Sequence, residues 1–315
     1  MGPIFWIIVF IISLFALIKS SDIFTEKAEK IGLSLGMPSF VVGVTIVAIG
    51  TSLPELVSSI FAVIGGSSEI VLGNVLGSNI ANIFLVLGIA AIIGKKLKIS
   101  SGGIHIDLLF LIGSAFFLFL SLLDGVFSIG EGILSLLLGT IYIIYITKLS
   151  KKNQEIKKEM SDIKKEKLSF GFWIIFILSL VLIFFGAKYT IESVIQLSSI
   201  FNIAKELIAI TAVALGTSLP ELMVTISAAR KGKPEIAIGN VLGSNIFNTL
   251  FVMGIPALIG SLTISPIMLS FGLPTMLVAT LLYFFIIKDR DMTSWEGWLL
   301  LVFYIFFIGR LFNLF

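Results

Sequence analysis

The side chains best placed for chemistry are two glutamates in apolar surroundings, Glu55 and Glu221. Each ends the same string, Gly-Thr-Ser-Leu-Pro-Glu, at residues 50–55 and 216–221. A carboxylate at membrane depth is expensive and by default marks a functional site. Proline adds a second cost: it removes a backbone donor and frees the carbonyl four residues earlier, here at Gly50 and Gly216. Such a break in a span is tolerated where the freed groups line a cavity. Thr51 and Ser52 precede Glu55 at helical spacing, so the three can share a face, and Thr217, Ser218 and Glu221 repeat the set. Ser78 and Asn82 stand four residues apart, as do Ser244 and Asn248. Pooled, these groups are carboxylates, hydroxyls, amide oxygens and free carbonyls. Such hard oxygen ligands suit Ca2+, Na+ or Mg2+ and do not suit Zn2+ or copper. Mg2+ prefers to keep its waters, so a dry site favours Ca2+. No basic residue lies within residues 37–64, 70–93 or 235–259, and Lys205 and Arg230 sit near the ends of the span between them. A cation from outside the chain is therefore the natural partner of the glutamates.

The elements that must position these residues are themselves duplicated. GNVLGSNIAN at 73–82 recurs as GNVLGSNIFN at 239–248, and every matched pair, Glu55 with Glu221 or Asn82 with Asn248, is offset by 166 residues without a gap. A duplicated packing unit explains the glycines: Gly73 with Gly77 and Gly239 with Gly243 form G-x-x-x-G, the spacing of close helix contacts. Ser78 and Ser244 can serve as small packing residues, and Asn74, Asn79, Asn240 and Asn245 can bridge helices. Packing alone does not explain repeated Glu, Thr, Ser and Asn in apolar surroundings.

The chain of 315 residues is 57% hydrophobic and 13% charged, and its mean hydropathy is +1.11. Soluble domains are nearer a quarter charged, so the expected class is an all-α polytopic membrane protein. With no Cys and one His, His105, thiolate sites, histidine relays and multi-histidine metal sites are excluded. No His or Lys accompanies Ser52 or Ser218, so an enzyme is not expected. The first apolar run, Ile4 to Ile18, has no basic segment before it and no small-residue cleavage site after it, so it reads as a span rather than a signal peptide. Apolar windows predict ten transmembrane helices, at 3–18, 37–64, 70–93, 104–122, 127–147, 170–187, 203–229, 235–259, 265–287 and 295–313. Of the 22 Lys and Arg residues, all but Lys188, Lys205 and Arg310 follow odd-numbered spans. That bias predicts a multi-pass protein of the cell membrane with both termini outside and the central loop cytoplasmic. It also accounts for the basic balance without nucleic acid. His105, Asp107, Asp124 and Glu131 fall near predicted span ends and read as interfacial. The chain then divides into a first five-helix repeat (1–147, motif 43–84), a charged linker (148–169) and a second five-helix repeat (170–315, motif 209–250). An odd number of spans per half inverts the second half relative to the first, a transporter architecture with its site near the midplane.

The two motifs closely resemble the alpha-repeats of the cation/calcium exchanger family, which includes the sodium/calcium exchangers. The resemblance implies that the second, third, seventh and eighth spans form the core and that the first and sixth are a sliding peripheral pair. By position it implies ion ligation by Thr51, Ser52, Glu55, Ser78 and Asn82, by Thr217, Ser218, Glu221, Ser244 and Asn248, and by the carbonyls of Ala48 and Ala214. Some relatives carry Asp where this chain has Asn248. Two carboxylates neutralise one Ca2+ or two Na+, and a third Na+ would leave the site positive. The implied function is exchange of Ca2+ for Na+, with no cofactor, by a chain that works as a monomer. Exchange of Ca2+ for H+, with Glu55 and Glu221 as proton carriers, is the alternative, and a passive cation channel is a third.

Overall fold

In the computed structural model the described residues are 2–66, 68–98, 104–152, 169–200, 205–312 and 314; within helices, side chains at 33, 104–106, 149–152, 190, 191, 194, 195, 198, 199 and 205–217 lie outside that set. The structure is almost wholly helical. The helices are α1 (Pro3–Ser34), α2 (Ser39–Ile64), α3 (Glu69–Gly94), α4 (Ile104–Ser121), α5 (Ile129–Lys152), α6 (Phe170–Ile200), α7 (Lys205–Arg230), α8 (Pro234–Ala257), α9 (Met268–Lys288) and α10 (Ser294–Leu311). Among the described residues eight of them are long and apolar enough to cross a membrane; α4 contributes a shorter apolar stretch, Asp107–Ser121. Most of the linker expected at 148–169 lies outside the described residues.

Burial separates core from periphery. In its most apolar stretch α8 is 89% buried, α3 78% and α2 61%, against 22% for α1 and α6. The outer faces of α1 and α6 expose Ile8, Ile11, Phe15, Ile177 and Leu178, an apolar surface that suits lipid. These two helices pack along each other. Phe24 stacks on Phe176 at 5.2 Å, and Gly186 lies against Leu17, so the pair runs antiparallel. The first helix outruns its expected end at residue 18 by four turns. Its polar extension is held by the end of α7 and the turn that follows it: Asp22 accepts a 2.6 Å hydrogen bond from Ser227, and Glu29 pairs with Lys233.

Close helix contacts are made through glycine. Gly43 meets Ile236 and Gly239, and Gly243 meets Val44 and Ala48, so α2 and α8 run parallel with their backbones in contact. Gly88 on α3 abuts Gly297 on α10, and Gly254 on α8 abuts Gly132 on α5. α3 and α8 thus each pack on the last helix of the other half. Two short antiparallel strand pairs tie connecting segments: β1 (Lys96–Lys98) with β4 (Asp291–Thr293), and β2 (Val126–Phe127) with β3 (Leu262–Thr263).

Two sequence expectations need correction. Pro54 and Pro220 do not break their helices: Ala48–Ile64 and Lys205–Arg230 remain α-helical through them. The irregularity lies elsewhere, in π-helical turns at Gly43–Val47, Asn82–Leu87 and Asn248–Val252. The last two begin at the paired asparagines. A π turn lodges an extra residue and re-aims the side chains around it, and such turns gather at functional sites. Asp107, in the first turn of α4, is buried within the protein, accepting a 3.1 Å hydrogen bond from the Tyr142 hydroxyl.

Candidate cation site

The core of the molecule is polar where α2, α3, α7 and α8 meet. Thr51, Ser52 and Glu55 come from α2, Ser78 and Asn82 from α3, Ser218 and Glu221 from α7, and Ser244 and Asn248 from α8; each is 2% exposed or less. The structure brings the two halves into contact. Ser52 Oγ donates to Glu221 Oε1 at 3.0 Å, and Thr51 Oγ1 donates to Asn240 Oδ1 at 3.3 Å. Thr51 Oγ1 also reaches the Ala48 carbonyl at 3.2 Å. Ala214 and Thr217 lie on α7 in the stretch whose side chains are outside the described residues.

Around these groups the repeat builds an outer layer of satisfied bonds. Asn74 Nδ2 donates to Ser59 Oγ at 3.3 Å and to the Glu55 carbonyl at 3.5 Å. Asn240 Nδ2 does the same in the other half, to Thr225 Oγ1 at 2.8 Å and to the Glu221 carbonyl at 3.5 Å. These bonds join α2 to α3 and α7 to α8 and hold each glutamate backbone. Bridging by Asn74 and Asn240 agrees with the sequence reading. Ser59, Thr225 and Thr249 were not singled out by it, although the offset that relates Ser59 to Thr225 was visible.

The inner layer is different. Both carboxylate oxygens of Glu55 lack a hydrogen-bond partner among the described residues. So do Glu221 Oε2, Ser218 Oγ, Ser244 Oγ, Asn248 Oδ1 and both amide atoms of Asn82. Each described ion pair lies elsewhere. A buried polar atom without a partner forfeits about 1–3 kcal/mol, and a charged one more. A cation placed among them would answer the oxygen deficits, whereas the Asn82 Nδ2 donor would need an acceptor. Among the described residues no three His, Cys, Asp or Glu side chains cluster, so the ligand set is two carboxylates supplemented by neutral oxygens. That composition fits a hard alkali or alkaline-earth ion.

A mostly helical chain with, among the described residues, eight membrane-length helices and a buried oxygen-lined core has the build of a polytopic membrane protein. The sodium/calcium exchanger protein family matches residues 5–148 and 171–313, and the chain belongs to that family. The sodium/calcium exchanger MaX1 of Methanosarcina acetivorans is 35% identical over 97% of this chain and 98% of its own. The inner membrane protein YrbG of Escherichia coli is 30% identical over 87% and 86%. Among solved structures, the sodium-calcium exchanger NCX_Mj, soaked with Na+ and Sr2+, superposes with a TM-score of 0.85 at 30% identity, covering 98% of this chain and 99% of that one. The relatives are exchangers and membrane proteins rather than enzymes.

Proposed function

We propose that the protein is a secondary antiporter that exchanges Ca2+ for Na+ by alternating access. The cations bind in turn at a midplane site made by Thr51, Ser52, Glu55, Ser78 and Asn82, by Thr217, Ser218, Glu221, Ser244 and Asn248, and by the carbonyls of Ala48 and Ala214. One observation carries the reading: the fully buried Glu55 carboxylate has no partner on either oxygen among the described residues. An unpaired buried carboxylate is destabilising unless an external cation or a proton completes it. A single chain supplies both glutamates, so a monomer suffices.

The arrangement is ten spans in two inverted repeats, 1–147 and 170–315, joined by the charged linker 148–169. The parallel run of α2 and α8 supports the inversion, because α7 and α8 form a tight hairpin and the two Gly-Thr-Ser-Leu-Pro-Glu strings then point in opposite directions. Pairing of segments at the C-terminal ends of odd-numbered helices or just beyond them supports one common side for them: β1 with β4, and Glu29, near the end of α1, with Lys233. Their lysines assign that side to the cytoplasm and the termini to the outside. Alternating access follows if only an occupied, charge-compensated core lets α1 and α6 slide. Each ion then shifts the two-state equilibrium by its differential affinity.

The test is Ca2+ uptake into Na+-loaded proteoliposomes. The unmodified protein is expected to take up Ca2+ along the outward Na+ gradient, and Glu55→Gln to lose uptake while eluting as a monodisperse species in detergent. Full uptake by Glu55→Gln would sink the site assignment. Uptake that follows an imposed pH gradient and ignores Na+ would sink the choice of counter-ion.

A further inference from the structure

Two asparagines deeper in the repeat, Asn79 and Asn245, are related by the same offset as Asn82 and Asn248, yet their bonding differs. Asn79 Nδ2 donates to the Asn245 carbonyl at 3.4 Å and to Thr249 Oγ1 at 2.9 Å. A backbone carbonyl only accepts, so the nitrogen end of the Asn79 amide must face α8 at that point. Its oxygen end is thereby directed at Asn248, which donates through Nδ2 at 3.3 Å. Asn248 has no choice of orientation either. With its nitrogen committed to Asn79, its oxygen is turned the other way, and that oxygen has no partner among the described residues.

The other half lacks the chain of constraint. The counterpart of Thr249 is Ile83, which carries no hydroxyl. Neither amide atom of Asn245 nor of Asn82 has a partner among the described residues, although both side chains are buried. The amide that would orient Asn82 is itself unoriented.

We propose that Asn79 is a positioning residue that holds the Asn248 amide with its oxygen toward the transported cation, and that Asn82, without such a constraint, is the adaptable amide of the site. The inference rests on the cation-site reading above. A rotated Asn248 amide would present N–H to the cation in place of oxygen. Exchanging a correctly aimed group for a misaimed one beside a charge changes affinity by about ten-fold or more.

The experiment measures the Ca2+ concentration for half-maximal uptake in Na+-loaded proteoliposomes for Asn79→Leu and Asn245→Leu, each alone and in an Asn248→Asp background, with Glu55→Gln in parallel. Asn79→Leu is expected to raise half-saturation about ten-fold, and Asn245→Leu to change it less than about two-fold. A carboxylate has oxygen at both ends and needs no orientation. In the Asn248→Asp background Asn79→Leu is therefore expected to leave half-saturation unchanged or improve it, since it removes an oxygen facing an oxygen. A purely structural Asn79 would cost the same in both backgrounds, and that result overturns the proposal, as do equal losses from Asn79→Leu and Asn245→Leu. If Asn79→Leu does not accumulate, Thr249→Val removes the nearest of the acceptors that orient Asn79, the others being the Asn245 carbonyl and the Met276 sulfur; about a three-fold rise confined to the unmodified background is then expected, and a rise of equal size in both backgrounds overturns it. Loss in Glu55→Gln with no effect of Asn79→Leu refutes the orientation argument alone. Uptake by Glu55→Gln refutes the cation site itself.

Discussion

Gly243→Ala isolates the contact on which the site's geometry depends. A Cβ at Gly243 would lie 2.3 Å from the Val44 oxygen, 2.7 Å from Val44 Cα and 2.7 Å from Ala48 Cβ. Two of these atoms are backbone, so no rotamer change relieves the clash. Ordinary carbon contacts need about 3.5 Å, so α8 and α2 must separate by about 1 Å. Tilting about the neighbouring contact is blocked, because Gly239 is itself packed on the Phe40 carbonyl. Overpacking of this kind costs about 1–3 kcal/mol, which a folded membrane protein of this size survives. The separation acts on function more severely. Ala48 and Gly243 flank Thr51 and Ser244, so it spreads the two halves of the site, and a 1 Å misplacement of acting groups costs about 100-fold. Gly243→Ala is therefore expected to yield folded protein with Ca2+ uptake reduced about 100-fold. Gly113→Ala on α4 is the control. No described atom lies within 4 Å of its added Cβ. There the higher helix propensity of alanine, up to about 1 kcal/mol, acts alone. The measurements are elution from size exclusion, the thermal midpoint in detergent and Na+-driven Ca2+ uptake. Equal uptake by Gly243→Ala and Gly113→Ala would refute the close-contact argument.

Two other substitutions probe smaller quantities. Ser52→Ala deletes the buried 3.0 Å bond to Glu221. Bonds to a charged group are worth about 1.5–3 kcal/mol, so half-saturation by Ca2+ should rise about 10- to 100-fold, and an unchanged value would count against Ser52 as part of the site. Lys96→Ala removes a 2.7 Å ion pair with Asp291 whose side chains are 61% and 36% exposed. Such pairs contribute about 0–1 kcal/mol, so thermal midpoint and uptake should both stay near those of the unmodified protein; a large fall in either would show that the β1–β4 tie does more than its exposure implies.

The four helices of the core were legible because their message is local. A carboxylate, its hydroxyls and the glycines recur within a few turns, and 166 residues later they recur again. Helical spacing alone put Ser52 and Glu55 on one face. What escaped was whatever depends on the partner helix. The expected break at Pro54 did not appear, nor did one at Pro220, and the π turn in α2 lies at Gly43–Val47, about two turns before Pro54. Nothing in composition distinguishes a π turn from an α turn; the difference arises where α8 presses Gly239 and Gly243 into α2. The length of α1 was underestimated because Asp22, Glu29 and their neighbours read as a polar loop, whereas salt bridges to Lys231 and Lys233 keep them helical. Asp107 read as interfacial from its place near a span end, and its partner Tyr142, 35 residues away in sequence, was not visible. The substitution of Ile83 for a Thr249-like residue was on view throughout. It acquires meaning only once Asn79 is seen bonded to Thr249.

One repeated motif thus performs two tasks, and bond satisfaction separates them. Asn74 with Ser59, and Asn240 with Thr225, close the same bond in each half, as residues whose work is to hold a hairpin should. The inner residues of the same strings leave ten atoms without partners, of the fourteen such side-chain atoms among the described residues. Random imperfection would scatter them through the protein, and a packing motif would have none. Their concentration on Glu55, Asn82, Ser218, Glu221, Ser244, Asn245 and Asn248 places the deficit at the junction of the halves. The deficit is also uneven: Ser52 satisfies one oxygen of Glu221, whereas Glu55 has nothing on either. Motifs that match over most of their length are thus satisfied to different degrees in the two halves, and Ile83 standing where the other half has Thr249 is one visible source of that difference.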